Sequence, residues 1–531
     1  MKPRVRRIGS SIIAAAIGVV LTGALVFGVQ AATDFGLTTT VGLAKGWKAE
    51  EAVLADVNGD GRDDLVLASS RRRPTASRRL AVHLRRSGRA AFGPRADHTY
   101  DLTPDVVAFT AADVAIGGGA EIVLLTATGA FAWQPLAGDD ARPERLVRAE
   151  ILWQGGDPRE ILTWAHGVQD MNGDGAMDLL LPEPGGYCVA LQKRTKTGTT
   201  FQVTHLQLPE GRETALPETR GSRRLRGKEK GRRFRIALGL GADARLGTGD
   251  LFAITDAVPA PVAIDWDGDG DLDVLAQTEN ELLVWTCEKS GFSAEPSVRE
   301  TLPLDVDRSR RLDVSFSSSA AHFDADQRAD CVILAGDRRS DDARTQVLLY
   351  RQADEPNGRL FREDGVPGQA LMVAGFAGAP QILDVNGDGS TDLVLSSVDV
   401  DGIDAIRAAA SGRIDVKVSV YLSRKGVLPR RPQTSFSVPV EAKSLRGKTS
   451  VQASFFGDAT GNGARDVLLR TGDETLAVRG TQRSRKGVVI RAEPIWTTRI
   501  DKRAAVRTFD HAGGPELVIL ESHRVLHVRF R

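Results

Sequence analysis

The chain has 531 residues, more than one ordinary compact core holds, so it is either multidomain or built from repeats. Lysine and arginine number 70 against 69 aspartate and glutamate, a net charge of +1, which gives neither a global basic bias for nucleic acid nor an acidic bias for disorder. Three cysteines, Cys188, Cys287 and Cys331, lie far apart beside apolar runs; this excludes a disulfide framework and a CxxC metal knuckle and predicts buried thiols.

At the N-terminus, Lys2, Arg4, Arg6 and Arg7 precede a mostly apolar, uncharged run over 8–29, and Val29-Gln30-Ala31 supplies small residues at a signal-peptidase site. Residues 1–31 read as an export signal or, if uncleaved, as a membrane anchor through 8–29. Either reading puts 32–531 outside the cytoplasm, as a periplasmic, cell-surface or secreted protein.

The next stretch with chemistry in it is Asp56-Val57-Asn58-Gly59-Asp60-Gly61-Arg62-Asp63-Asp64, followed by Leu65-Val66-Leu67. It recurs at Asp170–178, Asp265–273 and Asp384–392. Each copy has oxygen side chains at loop positions 1, 3, 5 and 9 and glycines at 4 and 6. Hard cations such as Ca²⁺ take several oxygen ligands, and alternate side chains of a tight loop can face one centre. Degraded copies begin at Asp113, Asp324, Asp458 and Asp510. The eight markers are 52 to 60 residues apart except for two gaps of 95 and 74, both carrying polar insertions. Around each marker a short apolar run precedes the loop and a buried-looking run follows it. Two further alternating stretches close the unit, and amphipathic helix patterns are almost lacking.

Four short strands per repeat, without helices, predict an all-β chain of stacked four-stranded blades, a β-propeller. The count predicts eight blades, with seven as the alternative if one degraded marker is spurious. The chain has little room for strands after Asp510, and Leu37–Leu43 is a spare strand-like stretch near the start. The N-terminal stretch is therefore expected to close the ring as the outer strand of the last blade, covering an open edge.

Between 209 and 250 lies a basic insertion in which Arg223, Arg224, Arg226, Arg232 and Arg233 crowd together. It reads as a solvated loop or as a site for acidic glycans; aromatic residues for base stacking are lacking, so no nucleic-acid partner is expected.

The D-x-N/D-G-D-G-x-x-D-L-V/L segments resemble those of the FG-GAP/VCBS repeat family, propellers related to the head domain of integrin α-subunits. The resemblance covers essentially everything after the export segment. It implies about four structural Ca²⁺ sites. Their ligands would be Asp56, Asn58, Asp60, the Arg62 carbonyl and Asp64; Asp170, Asn172, Asp174, the Ala176 carbonyl and Asp178; Asp265, Asp267, Asp269, the Asp271 carbonyl and Asp273; and Asp384, Asn386, Asp388, the Ser390 carbonyl and Asp392. Asp458, Thr460, Asn462 and Asp466 form a weaker set with two carboxylates. An EF-hand needs a carboxylate at position 12. That position holds Leu67, Leu181, Ala276 and Leu395, so the helical alternative fails in all four loops.

The expected function is that of an exported, monomeric, calcium-binding scaffold for adhesion to a protein or glycan, with no catalytic residues. The alternative is a polysaccharide lyase on the same fold. No HExxH, GxSxG or dinucleotide-binding pattern is present.

Overall fold

The computed structural model describes residues 36–530 apart from internal stretches, chiefly 152–160, 210–235, 238–250, 253–260, 304–313, 338–343, 353–358, 399–412 and 442–452, and scattered single or paired positions. The export segment 1–31 and the insertion arginines Arg223, Arg224, Arg226, Arg232 and Arg233 lie outside the described residues.

Eight antiparallel blades of four strands form a ring, the arrangement of an eight-bladed β-propeller. In chain order they occupy 47–102, 106–148, 168–207, 261–301, 314–374, 376–441, 453–499, and 505–530 together with 36–42. The sixth blade splits its first strand into Phe376–Ala377 and Gln381–Leu383, which pair with the same neighbour. The 3₁₀ turn that lies wholly within the described residues is Pro135–Ala137. No described helix is long and apolar enough to cross a membrane.

The sequence pattern explains the layering. Second strands such as Glu121–Thr126 and Asp178–Glu183 are buried at every residue, because a neighbouring blade covers each face. The outermost strand of the third blade, Gly198–Gln207, is mostly half-buried or exposed and is polar accordingly. Eight apolar layers fill the gaps between successive blades, one per gap. Cys188, Cys287 and Cys331 are free thiols buried in these layers, as expected for packing residues. The position-12 residues Leu67, Leu181, Ala276 and Leu395 also lie in them, at most 1% exposed.

The ring is closed by the N-terminal strand. Gly36–Gly42 pairs antiparallel with Arg524–Phe530, from Gly36 opposite Phe530 to Gly42 opposite Arg524. Val41 enters the layer shared by the eighth and first blades with Leu65, Leu67, Val518 and Val525. This seam also holds two buried bidentate ion pairs: Arg85 donates to both Glu516 oxygens at 2.8 and 2.7 Å, and Arg507 to both Glu51 oxygens at 2.6 Å.

Candidate metal loops at one end of the ring

The four intact loops each join the first strand of a blade to its second. Their two glycines are a conformational requirement: Gly59 and Gly61 have φ of 71° and 79°, and the pairs at 173/175, 268/270 and 387/389 are also left-handed. With the backbone curled this way, the position-1 carboxylate folds back over the turn. Asp56 accepts from the amides of Asp60 and Gly61 at 3.0 and 2.7 Å, and Asp170 from those of Asp174 and Gly175 at 3.1 and 2.8 Å. Asp384 does the same with Asp388 and Gly389, and Asp265 accepts from the amides of Gly268 and Gly270. Position 3 caps the amide of position 5, from Asn58, Asn172, Asp267 and Asn386. Position 5 caps the amide of position 7: Asp60 to Arg62, Asp174 to Ala176, Asp269 to Asp271, Asp388 to Ser390. In the fourth blade the carboxylate oxygens of Asp265, Asp267 and Asp269 converge within 4.8 Å of one another.

Position 9 has a different surrounding. Asp64, Asp178, Asp273 and Asp392 are the first residues of their second strands and are at most 1% exposed. One oxygen accepts from the position-2 amide: Val57 at 3.1 Å, Met171 at 2.8 Å, Trp266 at 2.7 Å and Val385 at 2.9 Å. The other accepts from an amide just past or within the third strand: Arg85, Gln192, Cys287 and Ser423. Each such carboxylate therefore staples its loop to the blade. Burial pushes Asp178 up to about 6 and Asp273 and Asp392 to about 7, with the other loop carboxylates adding to the shift. A divalent cation would relieve that cost, and the donor set is all oxygen, so the residues fit a hard cation. In the first loop the Arg62 guanidinium sits on Asp60 at 2.6 Å, so a cation there displaces that side chain.

The staple also runs through the degraded loops, which the sequence marked only faintly. Asp330 accepts from Phe323 and Gln352 and Asp466 from Thr460 and Thr481, whereas Glu121 takes the Val114 and Ala115 amides on one oxygen and the Gln134 side-chain amide on the other. The Asp458 loop keeps the wrap of Asp458 onto the Asn462 amide, and Asn462 donates to Thr460 and to the Thr481 carbonyl. In the eighth blade the marker Asp510 belongs to the first strand, Ala505–His511, which turns tightly into Gly514–Leu520.

Neighbouring loops are joined by backbone hydrogen bonds. The amide just before the staple residue of one loop donates to the first or second carbonyl of the preceding loop: Ala120 to Asp56, Leu272 to Met171, Ala329 to Trp266, and Arg465 to Val385. Arg483 adds bonds to the Gly387 and Gly463 carbonyls, both 2.8 Å. The loops thus line one end of the ring as a belt, with these backbone bonds at four of its eight junctions among the described residues. One further donor cluster, Glu183, Cys188 and His205, lies outside the belt in the third blade. Linear spacing gives no sign of it, because its members come from three strands.

No family model and no curated protein matches the chain. Solved structures match at low identity. An Agrocybe aegerita lectin that recognises non-reducing terminal N-acetylglucosamine is 15% identical, with 86% of this chain and 94% of that chain covered and a TM-score of 0.39. Chaetomium thermophilum Sqt1, bound to the N-terminus of ribosomal protein L10, is 12% identical over 88% and 93%, with a TM-score of 0.40. The Vibrio cholerae biofilm matrix protein Bap1 is 12% identical over 93% and 88%, with a TM-score of 0.33.

Proposed function

We propose that the chain is an exported propeller of the FG-GAP/VCBS kind, braced by Ca²⁺ in four loops and acting as a non-enzymatic scaffold that binds a protein or glycan. The observation that carries this reading is the belt of oxygen-rich loops, above all the convergence of Asp265, Asp267 and Asp269 beside buried Asp273. Ca²⁺ held by positions 1, 3 and 5, the position-7 carbonyl and position 9 would neutralise carboxylates that otherwise repel one another. Its role is to lock each loop, and through the loop-to-loop hydrogen bonds, one end of the ring.

The test has two parts. Thermal unfolding is followed with saturating Ca²⁺ and with a chelator; the reading expects a marked fall in Tm on chelation and recovery with Ca²⁺ but not with equimolar Mg²⁺. An unchanged Tm removes calcium from the account. Glycan and protein arrays are then probed with the calcium-loaded chain. Selective, calcium-dependent capture supports the scaffold reading, and turnover of an acidic polysaccharide by the same preparation replaces it.

A further inference from the structure

The cluster in the third blade joins three unlike donors on one face of the sheet. Cys188 on strand Gly186–Thr195 is directly opposite His205 on strand Gly198–Gln207. On the other side Cys188 is opposite Leu181, and Glu183 lies two residues beyond Leu181 on the same face. Glu183 and Cys188 are buried, whereas the His205 side chain is 61% exposed, so the cluster opens to solvent on one side. His205 Nδ1 is 2.7 Å from Glu183 Oε2, and the donor atoms of all three residues lie within 4.8 Å of one another. Among the described residues the Cys188 thiol has no hydrogen-bond partner.

We propose that Glu183, Cys188 and His205 form a binding site for Zn²⁺, separate from the calcium loops in place and in chemistry. A thiolate, an imidazole and a carboxylate are the donors zinc selects, whereas Ca²⁺ takes oxygen alone. Zinc–ligand bonds of about 2.0 to 2.3 Å in a tetrahedral array put donor atoms about 3.3 to 3.6 Å apart. The Glu183–His205 pair, 2.7 Å apart, would open towards that spacing, the Cys188 sulfur, within 4.8 Å of both, would close on it, and the ring proton of His205 would sit on Nε2. Binding releases the Cys188 thiol proton to solvent and leaves His205 neutral. Without metal, burial and the Glu183 charge push that thiol up to about 12; the cation supplies the charge that makes the thiolate. A water on the exposed His205 side would complete four-coordination. The ion would tie the second, third and fourth strands of the blade together at the end of the sheet away from the acidic loops.

The site is tested on the purified chain in excess Ca²⁺, which saturates the acidic loops and keeps this result independent of the calcium reading. Co²⁺ is titrated as a spectroscopic stand-in. The expected result is a thiolate-to-cobalt charge-transfer band that saturates and is bleached by added Zn²⁺. C188S loses the band. H205Q alters an exposed side chain, so the fold is retained, and it weakens the band and raises the Co²⁺ concentration needed to reach it. E183Q acts in the same direction. A missing band overturns the proposal, and so does a band that survives in C188S, which places the thiolate at another cysteine, or one unaltered in H205Q, which removes His205 from the site.

Discussion

The seam residues are the clearest case of a side chain whose surroundings set its charge. Glu516 is buried, which pushes its pKa up, but His527 and Arg85 hydrogen-bond to it and hold it at about 2. His527 is itself fully buried, which lowers its pKa, while its Nε2 lies 2.6 Å from Glu516; its Nδ1 has no hydrogen-bond partner among the described residues. Both shifts have the same sign. An acid whose folded pKa is depressed contributes stability above its unfolded value and loses it as pH falls, and a histidine whose folded pKa is depressed by burial loses stability in the same direction. For Glu516 the window runs from about 4.5 down to about 2, and its contribution at neutral pH is about 3 kcal/mol. E516Q should therefore unfold at a clearly lower Tm than the parent at pH 7, and the two curves should meet near pH 2. A Tm gap that stays constant with pH would show that the cost is one of packing alone.

The blade element owes its turn to the position-9 staple, which does two jobs that mutation can separate. Asp330 heads the second strand of the fifth blade in a loop without a full ligand set, and it satisfies the buried amides of Phe323 and Gln352. D330A leaves both unpaired, at about 1 to 3 kcal/mol each, and the loss should be the same with Ca²⁺ or with chelator. D269N keeps the backbone caps of the fourth loop but removes one of its three converging carboxylates, so its destabilisation should appear in Ca²⁺ and vanish in chelator. Chemical denaturation of both variants in both media distinguishes the roles. The same element explains what was legible in the sequence. The Asp-Gly-Asp-Gly spacing and the apolar run behind it fixed the loop, the second strand and the blade count, because each follows from short-range backbone geometry and burial on both faces. The tie from Asp64 to the Arg85 amide was not legible, nor was the Glu183–Cys188–His205 trio, because these depend on which strands become neighbours and on which face each residue lies.

At the scale of the whole molecule, the ring joins residues from the two ends of the sequence in one blade. Bringing chain ends together costs roughly 5 kcal/mol by the logarithmic loop-closure relation for a chain of this length. Three features of the seam offset that cost. The first is the ladder between Gly36–Gly42 and Arg524–Phe530, the second is the apolar layer around Val41, and the third is the pair of ion bridges from Arg85 and Arg507. The ion bridges alone do not suffice, since burying two charges costs nearly what their attraction returns; their use is to fix which blade meets which. The strand is therefore the element that decides closure. A variant starting after residue 43 keeps seven complete blades and an eighth with Arg524–Phe530 as a bare edge, whose Val525 and Val528, on opposite faces, are fully buried in the intact ring. Such an edge recruits other chains. The truncated protein should show a lower Tm and concentration-dependent self-association in light scattering. A synthetic peptide spanning 36–43, added in trans, should restore the monodisperse state by refilling the vacant strand position, whereas a peptide with Asp in place of Val41 should fail because that side chain must enter the apolar layer. If the truncated protein stays monodisperse at the parent Tm, closure resides in the ion pairs and the blade layers, not in the strand.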